Sequence, residues 1–100
     1  MNITPDLLLP FQQLADAAWT DDTEDGQTRS AIASANRAYI DAVAGTFPEA
    51  GEYIREKLMV AAYCAQDAGL DEIYRAIVTL AIALSVNLFP EAVTDAVAKN

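Results

Sequence analysis

Apolar side chains recur at intervals of three and four residues along most of this sequence. The clearest series comprises Phe11, Leu14, Ala15, Ala18 and Trp19. This spacing places the side chains on one face of an α-helix, where they can pack against other helices. Similar series fill residues 28–44 and 47–68, so the sequence predicts an all-α fold. In the second of these, the residues predicted to face inward are Ala50, Ile54, Leu58, Ala61, Ala62 and Ala65. Much of the apolar content is alanine, which predicts closely packed helices.

Helix start and stop signals divide this pattern into about five predicted helices. The predicted spans are a short turn at Thr4 with a new helix from Pro10, then 28–44, 47–68, 72–86 and a short helix from Pro90. The short links between them predict antiparallel hairpins in one compact bundle, a single domain over residues 1–100. The helix over 72–86 is apolar on nearly every face, which predicts that it lies at the centre of the bundle.

Specific residues mark the predicted helix ends. Gly45 is expected to adopt the left-handed conformation that ends a helix, and Asn87 is expected to do the same. Thr46 and Glu49 match a capping box, in which each side chain would bond a backbone N–H of the next helix. Asp71 is the predicted N-cap of the helix after that.

The tetrapeptide Phe-Pro-Glu-Ala occurs twice, at residues 47–50 and 89–92. A shift of 42 residues aligns the two copies and also aligns Gly45 with Asn87. We interpret the tetrapeptide as a structural corner: a helix stop, a phenylalanine between two helices, and a proline at the next helix start. A duplicated unit and a repeated ligand site are the alternatives, although two-helix repeat arrays generally need three or more copies.

The sequence lacks residues that several classes of catalytic and metal-binding site require. The chain has no histidine and one cysteine, Cys64, which removes histidine-based nucleophile pairs and the usual zinc ligands. Residues 21–26 resemble the first half of a calcium-binding EF-hand loop, but Arg29 and Ile32 stand where oxygen ligands belong. The sequence therefore predicts no catalytic residues, no metal site and no cofactor.

Acidity is the most unusual property of the sequence, whose net charge is −9. Residues 1–28 contain six acidic residues and no basic residue. Four of the six form one polar loop: Asp21, Asp22, Glu24 and Asp25. The negative electrostatic potential of these carboxylates favours a basic protein surface as partner. It disfavours direct binding to nucleic acid or to an anionic membrane.

A second group of acidic residues lies on the predicted helix over 47–68. Glu49, Glu52 and Glu56 recur at intervals of three and four, so they share one exposed face, and Tyr53 is a candidate anchor beside them. The other candidate anchors are Trp19, Tyr39, Tyr63 and Tyr74. A third acidic group comprises Asp67, Asp71 and Glu72, around the next turn.

These features together predict a small interaction protein that blocks a basic, possibly nucleic-acid-binding, site on another protein. The partner-binding residues would be the acids of the 21–25 loop with Glu49, Glu52, Tyr53 and Glu56. In size, acidity and missing catalytic groups the chain is similar to bacterial immunity proteins, DNA mimics and phage antagonists such as anti-CRISPR proteins. The alternative is a self-associating structural or adaptor subunit, in which a homodimer would cover the wide apolar faces of the predicted third and fourth helices. Without a signal-like or membrane-spanning segment, we expect a cytoplasmic location.

Overall fold

Four α-helices surround one apolar core in the computed structural model, which describes residues 3–20, 26–86 and 88. The helices are α1 (Leu8–Thr20), α2 (Gly26–Val43), α3 (Ala50–Asp67) and α4 (Asp71–Ala83), and a 3-10 turn, Pro5–Leu7, precedes α1. The prediction of a compact all-α bundle is confirmed, with a radius of gyration of 13.5 Å. The fifth predicted helix, from Pro90, lies outside the described residues. No helix in the described ranges is long and apolar enough to cross a membrane.

The helices close into a ring, because each contacts the next and α1 also contacts α4. Residues 44–49 link α2 to α3 and residues 68–70 link α3 to α4, and links this short join antiparallel neighbours. A side-chain contact agrees with this arrangement: Cys64, late in α3, donates to Gln27 at the start of α2, at 3.6 Å. The contact between α2 and α3 is the most extensive, and that between α1 and α4 is the least.

Small side chains explain why α2 and α3 pack so closely. The buried face of α3 is the predicted one in full: Ala50, Ile54, Leu58, Ala61, Ala62 and Ala65. Helix α2, whose contact with α3 is the most extensive in the ring, buries three alanines: Ala31, Ala35 and Ala38. Alanine lets helix backbones approach each other, so the alanine content predicted from sequence serves this contact.

The prediction that α4 lies at the centre of the bundle is wrong. Its buried side chains cover one face only: Ile73, Ile77, Leu80 and Ala81. The opposite face is exposed and comprises Glu72, Arg75, Thr79 and Ile82. Ile82 is the most exposed of the chain's large apolar residues in the described ranges, at 72%. Helix α4 is therefore one of the four helices around the core, and its high content of apolar residues does not mean that it is buried on all sides.

Pro10 lies inside α1, which begins two residues earlier than predicted. The expected short turn before it is present as the 3-10 turn that follows Thr4. Pro10 is the third residue of α1, where a backbone N–H has no acceptor within the helix, so the proline costs no helical hydrogen bond.

A residue with positive φ lies two positions after the last residue of each of the helices α2, α3 and α4. Its N–H and that of the next residue bond back to carbonyls of the last turn, which is the Schellman motif. The positive-φ residues are Gly45 (81°), Gly69 (74°) and Ser85 (60°). The prediction for Gly45 is confirmed. Asn87 lies outside the described residues, but α4 ends earlier than predicted, at Ala83, and Ser85 takes the left-handed position after it.

Two predicted helix starts also differ from the structure. The Thr46 hydroxyl donates to the Asp41 carbonyl at 3.1 Å, so it bonds the end of α2 and does not cap α3. Glu49 immediately precedes α3 without a side-chain cap bond, so the capping box is wrong. Helix α4 begins at Asp71 itself and Leu70 is its N-cap residue. Asp71 thus lies in the first turn, where a carboxylate interacts favourably with the helix dipole.

The first Phe-Pro-Glu-Ala is a structural corner. Phe47 packs against the core and its ring centroid lies 5.7 Å from that of Tyr53, while Pro48 stands two residues before α3. The second copy lies outside the described residues. The helix stop stands two residues before Phe47 at Gly45 but four residues before Phe89 at Ser85. The alignment of helix stops that suggested a duplication therefore fails.

Replacing Ser85 by glycine is expected to stabilise the fold by about 0.5–1 kcal/mol, because glycine adopts positive φ without the steric cost that serine bears. Ala83→Gly is the matched control: it lies in regular helix and should lower the unfolding free energy by about 1 kcal/mol. Urea unfolding of both variants measures the difference. A Ser85→Gly protein that is no more stable than wild type would show that Ser85 is not strained.

Candidate protein-interaction surface on helix α3

Six exposed side chains form a line along the outward face of α3. They are Glu49, Glu52, Glu56, Val60, Tyr63 and Asp67. Because they recur at intervals of three and four residues, they lie on one side of the helix, opposite its buried face. We call this line the α3 stripe. At a rise of about 1.5 Å per residue, it is about 27 Å long.

The α3 stripe has an apolar centre with carboxylates on both sides of it. Val60 is 43% exposed and Tyr63 is 51% exposed. Glu56 lies one turn before Val60, and Asp67 lies one turn after Tyr63. An apolar or aromatic centre within a polar rim is the arrangement found at protein–protein interfaces.

The basic residues near the α3 stripe lie at its edges and are already engaged. Arg55 contacts Glu52 at 3.3 Å. The Lys57 ammonium lies over the Tyr53 ring, 5.4 Å from its centroid. Glu56 and Asp67 form no ion pair with any residue in the described ranges. Their negative charge is therefore available to a partner.

The structure separates the candidate aromatic anchors. Tyr39 is fully buried and its hydroxyl donates to the Thr4 carbonyl at 2.6 Å, so it is not an anchor. Trp19 was expected in the core series of α1 but is largely exposed, under the Arg29 guanidinium, which lies 4.2 Å from its ring centroid. Tyr53 is 36% exposed, and Tyr63 is the most accessible tyrosine in the described ranges.

The predicted site residues thus divide into two groups. Glu49, Glu52 and Glu56 lie together on the α3 stripe, and Tyr53 lies at its edge against Phe47. The acidic loop over 21–25 lies outside the described residues. The start of α2, which follows the loop in sequence, lies beside the half of α3 that carries Tyr63 and Asp67, because Gln27 contacts Cys64.

Val60 is the part of the site that sequence reasoning missed, and Asp67 was assigned to the following turn. A signal was present, since Glu56, Val60, Tyr63 and Asp67 recur at intervals of four, three and four. The signal was hidden because an apolar residue on a helix is read as part of its buried face. The buried face of α3, which the sequence predicted correctly, lies opposite Val60 and shows that this valine points outward.

Within the described ranges, no group of three or more Cys, Asp or Glu side chains is arranged to hold a metal ion. Comparison of the chain with known protein families, curated proteins and solved structures found no significant match.

Proposed function

We propose that this protein is a small non-catalytic interaction protein that binds and blocks a basic surface on another protein. The observation that carries the proposal is the α3 stripe, where carboxylates without ion pairs flank an exposed tyrosine and valine. The basic partner surface would bear lysine or arginine side chains around an apolar recess. The α3 stripe and that surface would be complementary in both charge and polarity.

The two kinds of side chain on the α3 stripe have different tasks in this proposal. Glu56 and Asp67 attract a basic surface over several ångströms and raise the association rate. Tyr63 and Val60 supply the area that is desolvated in the complex, and tyrosine is enriched among residues that dominate binding energy. Arg55 and Lys57, engaged at the edges, do not place a positive charge on the line itself.

The chemistry also indicates which basic surfaces are suitable. Carboxylates along a rigid helix of about 27 Å resemble the repeated negative charges of a nucleic-acid backbone. A nucleic-acid-binding site would therefore accept the α3 stripe as a substitute for its ligand, whereas this acidic chain would not bind nucleic acid itself. The proposed type is that of phage antagonists, DNA mimics and immunity proteins, acting in the cytoplasm.

Capture from a lysate of the source organism, with wild-type protein and Tyr63→Ala on parallel resins, tests the proposal. We expect a basic protein on the wild-type resin, displaced by heparin, because this sulfated polyanion binds the same basic surface. Removing the anchor should weaken that protein's affinity about 30-fold, the typical effect of a dominant interface residue. Isothermal titration with the purified partner measures the change.

Tyr74→Ala is the matched control, since Tyr74 is not part of the α3 stripe: it lies on α4 and packs, partly buried, against the core. Its partner affinity should stay within about twofold of wild type, which is the scatter of neutral positions around a binding hot spot. A captured protein that is acidic, or whose affinity is equal for Tyr63→Ala and wild type, would refute the proposal.

The acidic loop contributes through charge. Replacing Asp21, Asp22, Glu24 and Asp25 by asparagine and serine removes four of the six acids in residues 1–28. We expect the association rate to fall about tenfold while the dissociation rate stays the same. Charges at the rim of an interface attract the partner before contact and contribute little to the stability of the complex. Stopped-flow measurement gives both rates, and thermal unfolding confirms the fold. An unchanged association rate would remove the loop from the account.

Self-association, the alternative predicted from sequence, also has a specific observation in its favour. The surface concerned lies between α1 and α4 and includes no residue of α3, so substitutions can test it separately from the α3 stripe.

A further inference from the structure

An apolar groove runs between α1 and α4, the two helices whose contact is the least extensive in the ring. Its volume is about 480 Å³. The lining from the α1 side is Leu7, Pro10, Gln13, Leu14 and Ala17, and that from α4 is Ala76, Thr79, Leu80 and Ala83. Pro10, Gln13, Ala17, Thr79 and Ala83 are exposed, so the groove is open to solvent and is not an enclosed cavity. An occupant must therefore be a projecting surface, because a small apolar molecule would remain wet here.

Two projecting apolar side chains stand beside the groove. Leu9 is 64% exposed and lies one turn from Gln13 on α1, while Ile82 is 72% exposed and lies one turn from Thr79 on α4. These are the two most exposed large apolar residues of the described ranges. One face of the molecule thus carries both an apolar recess and the apolar projections that could fill such a recess. A surface with both features is self-complementary, as a two-fold symmetric interface requires.

Charge points to the same occupant. None of the nine residues that line the groove is charged, although the chain has a net charge of −9. Two copies of so acidic a protein repel each other wherever carboxylates would face carboxylates. The lining of the groove contributes no such pair, and the exposed Asp6 and Asp16, the sequence neighbours of Leu7 and Ala17, are the carboxylates nearest to it in sequence on the α1 side. A basic partner, in contrast, would find no carboxylate in the groove lining and would be drawn to the α3 stripe.

We propose that the groove between α1 and α4 is the interface with a second copy of this chain. In the homodimer, Leu9 and Ile82 of each copy enter the groove of the other, and the small residues Ala17, Ala76 and Ala83 leave room for them. Helix α3 contributes no residue to the groove, so the dimer leaves both α3 stripes accessible. The earlier expectation of a homodimer through the predicted third and fourth helices is thereby replaced by one through α1 and α4.

Sedimentation equilibrium of the full chain over a range of concentrations tests this inference with Ile82→Asp and Val60→Asp. Both replace an exposed apolar residue by the same charged one, but Val60 lies on α3. We expect Ile82→Asp to raise the dimer dissociation constant at least about tenfold, as loss of a central interface contact does. Val60→Asp should leave that constant within about twofold of wild type. Circular dichroism confirms that both variants are folded.

Salt separates this interface from the proposed partner surface. Added sodium chloride screens the repulsion between two acidic copies, so the wild-type dimer should be equally stable or tighter at higher salt. A monomeric wild-type protein at millimolar concentration would overturn the inference. A dimer that Val60→Asp dissociates and Ile82→Asp does not would overturn it too, and would place the interface on α3. If the protein becomes dimeric only after deletion of residues 89–100, the intact chain's groove has another occupant and the inference is wrong.

Discussion

Replacing Ile77 by alanine should lower the free energy of unfolding by about 2–5 kcal/mol, the cost of emptying a fully buried isoleucine site. Ile77 is completely buried in α4, where it faces the shared core. The loss combines the transfer of the side chain from water with the cavity that its removal leaves among neighbours that cannot fully close it. Urea unfolding followed by circular dichroism measures the change.

Ile82 provides the matched control in the same helix, five residues later. It is 72% exposed, so Ile82→Ala should change the unfolding free energy of the monomer by less than about 0.5 kcal/mol. The measurement is made at low protein concentration, where self-association does not contribute. Equal losses for the two variants would mean that α4 is buried on both faces, as its composition alone suggested, and the ring arrangement of the helices would be wrong.

The double variant Glu56→Lys and Asp67→Lys should weaken binding of the basic partner by about 100-fold or more, since like charges placed across an interface cost several kcal/mol. Both carboxylates lie on the α3 stripe and neither forms an ion pair with the described residues. The fold should be retained, because both side chains are exposed and a lysine in the last turn of α3 favours the helix dipole. Titration calorimetry with the captured partner measures the affinity.

A second double variant, Asp6→Lys and Asp16→Lys, controls for net charge. It changes the charge of the protein by the same amount but acts on exposed residues at and before α1, away from the α3 stripe. Its affinity should fall less than about tenfold, through weaker long-range attraction alone. Equal weakening by both double variants would mean that total charge, and not the arrangement on α3, governs binding.

The sequence was sufficient to predict the parts of the fold that depend on periodic burial. In α3 the apolar series from Ala50 to Ala65 recurs at intervals of three and four residues, and Glu52 and Glu56 lie on the opposite side of the helix, so its buried face could be read directly. The glycine at position 45 was equally clear, since a left-handed helix stop favours glycine.

Other features depend on contacts that no single helix reveals. Helix α4 carries the apolar residue Ile82 outside its buried face, so its composition alone did not show that one face is exposed. Ser85 holds a left-handed conformation without a glycine or asparagine to mark it. On the α3 stripe, Glu49, Glu52 and Glu56 were predicted, whereas the exposure of Val60, which lies opposite the predicted buried face, was missed because the residue is apolar.

Binding of a basic protein by the α3 stripe should depend on charge as well as on an exposed tyrosine. Its most direct test is the affinity of the wild-type protein for the captured partner as sodium chloride rises from about 50 mM to about 500 mM, a range over which exposed charges become screened. If the carboxylates of the α3 stripe attract the partner, the affinity of the wild-type protein falls at least about tenfold over this range. The Glu56→Lys and Asp67→Lys variant shows no such fall. A wild-type affinity that stays constant or increases with salt would contradict this dependence on charge.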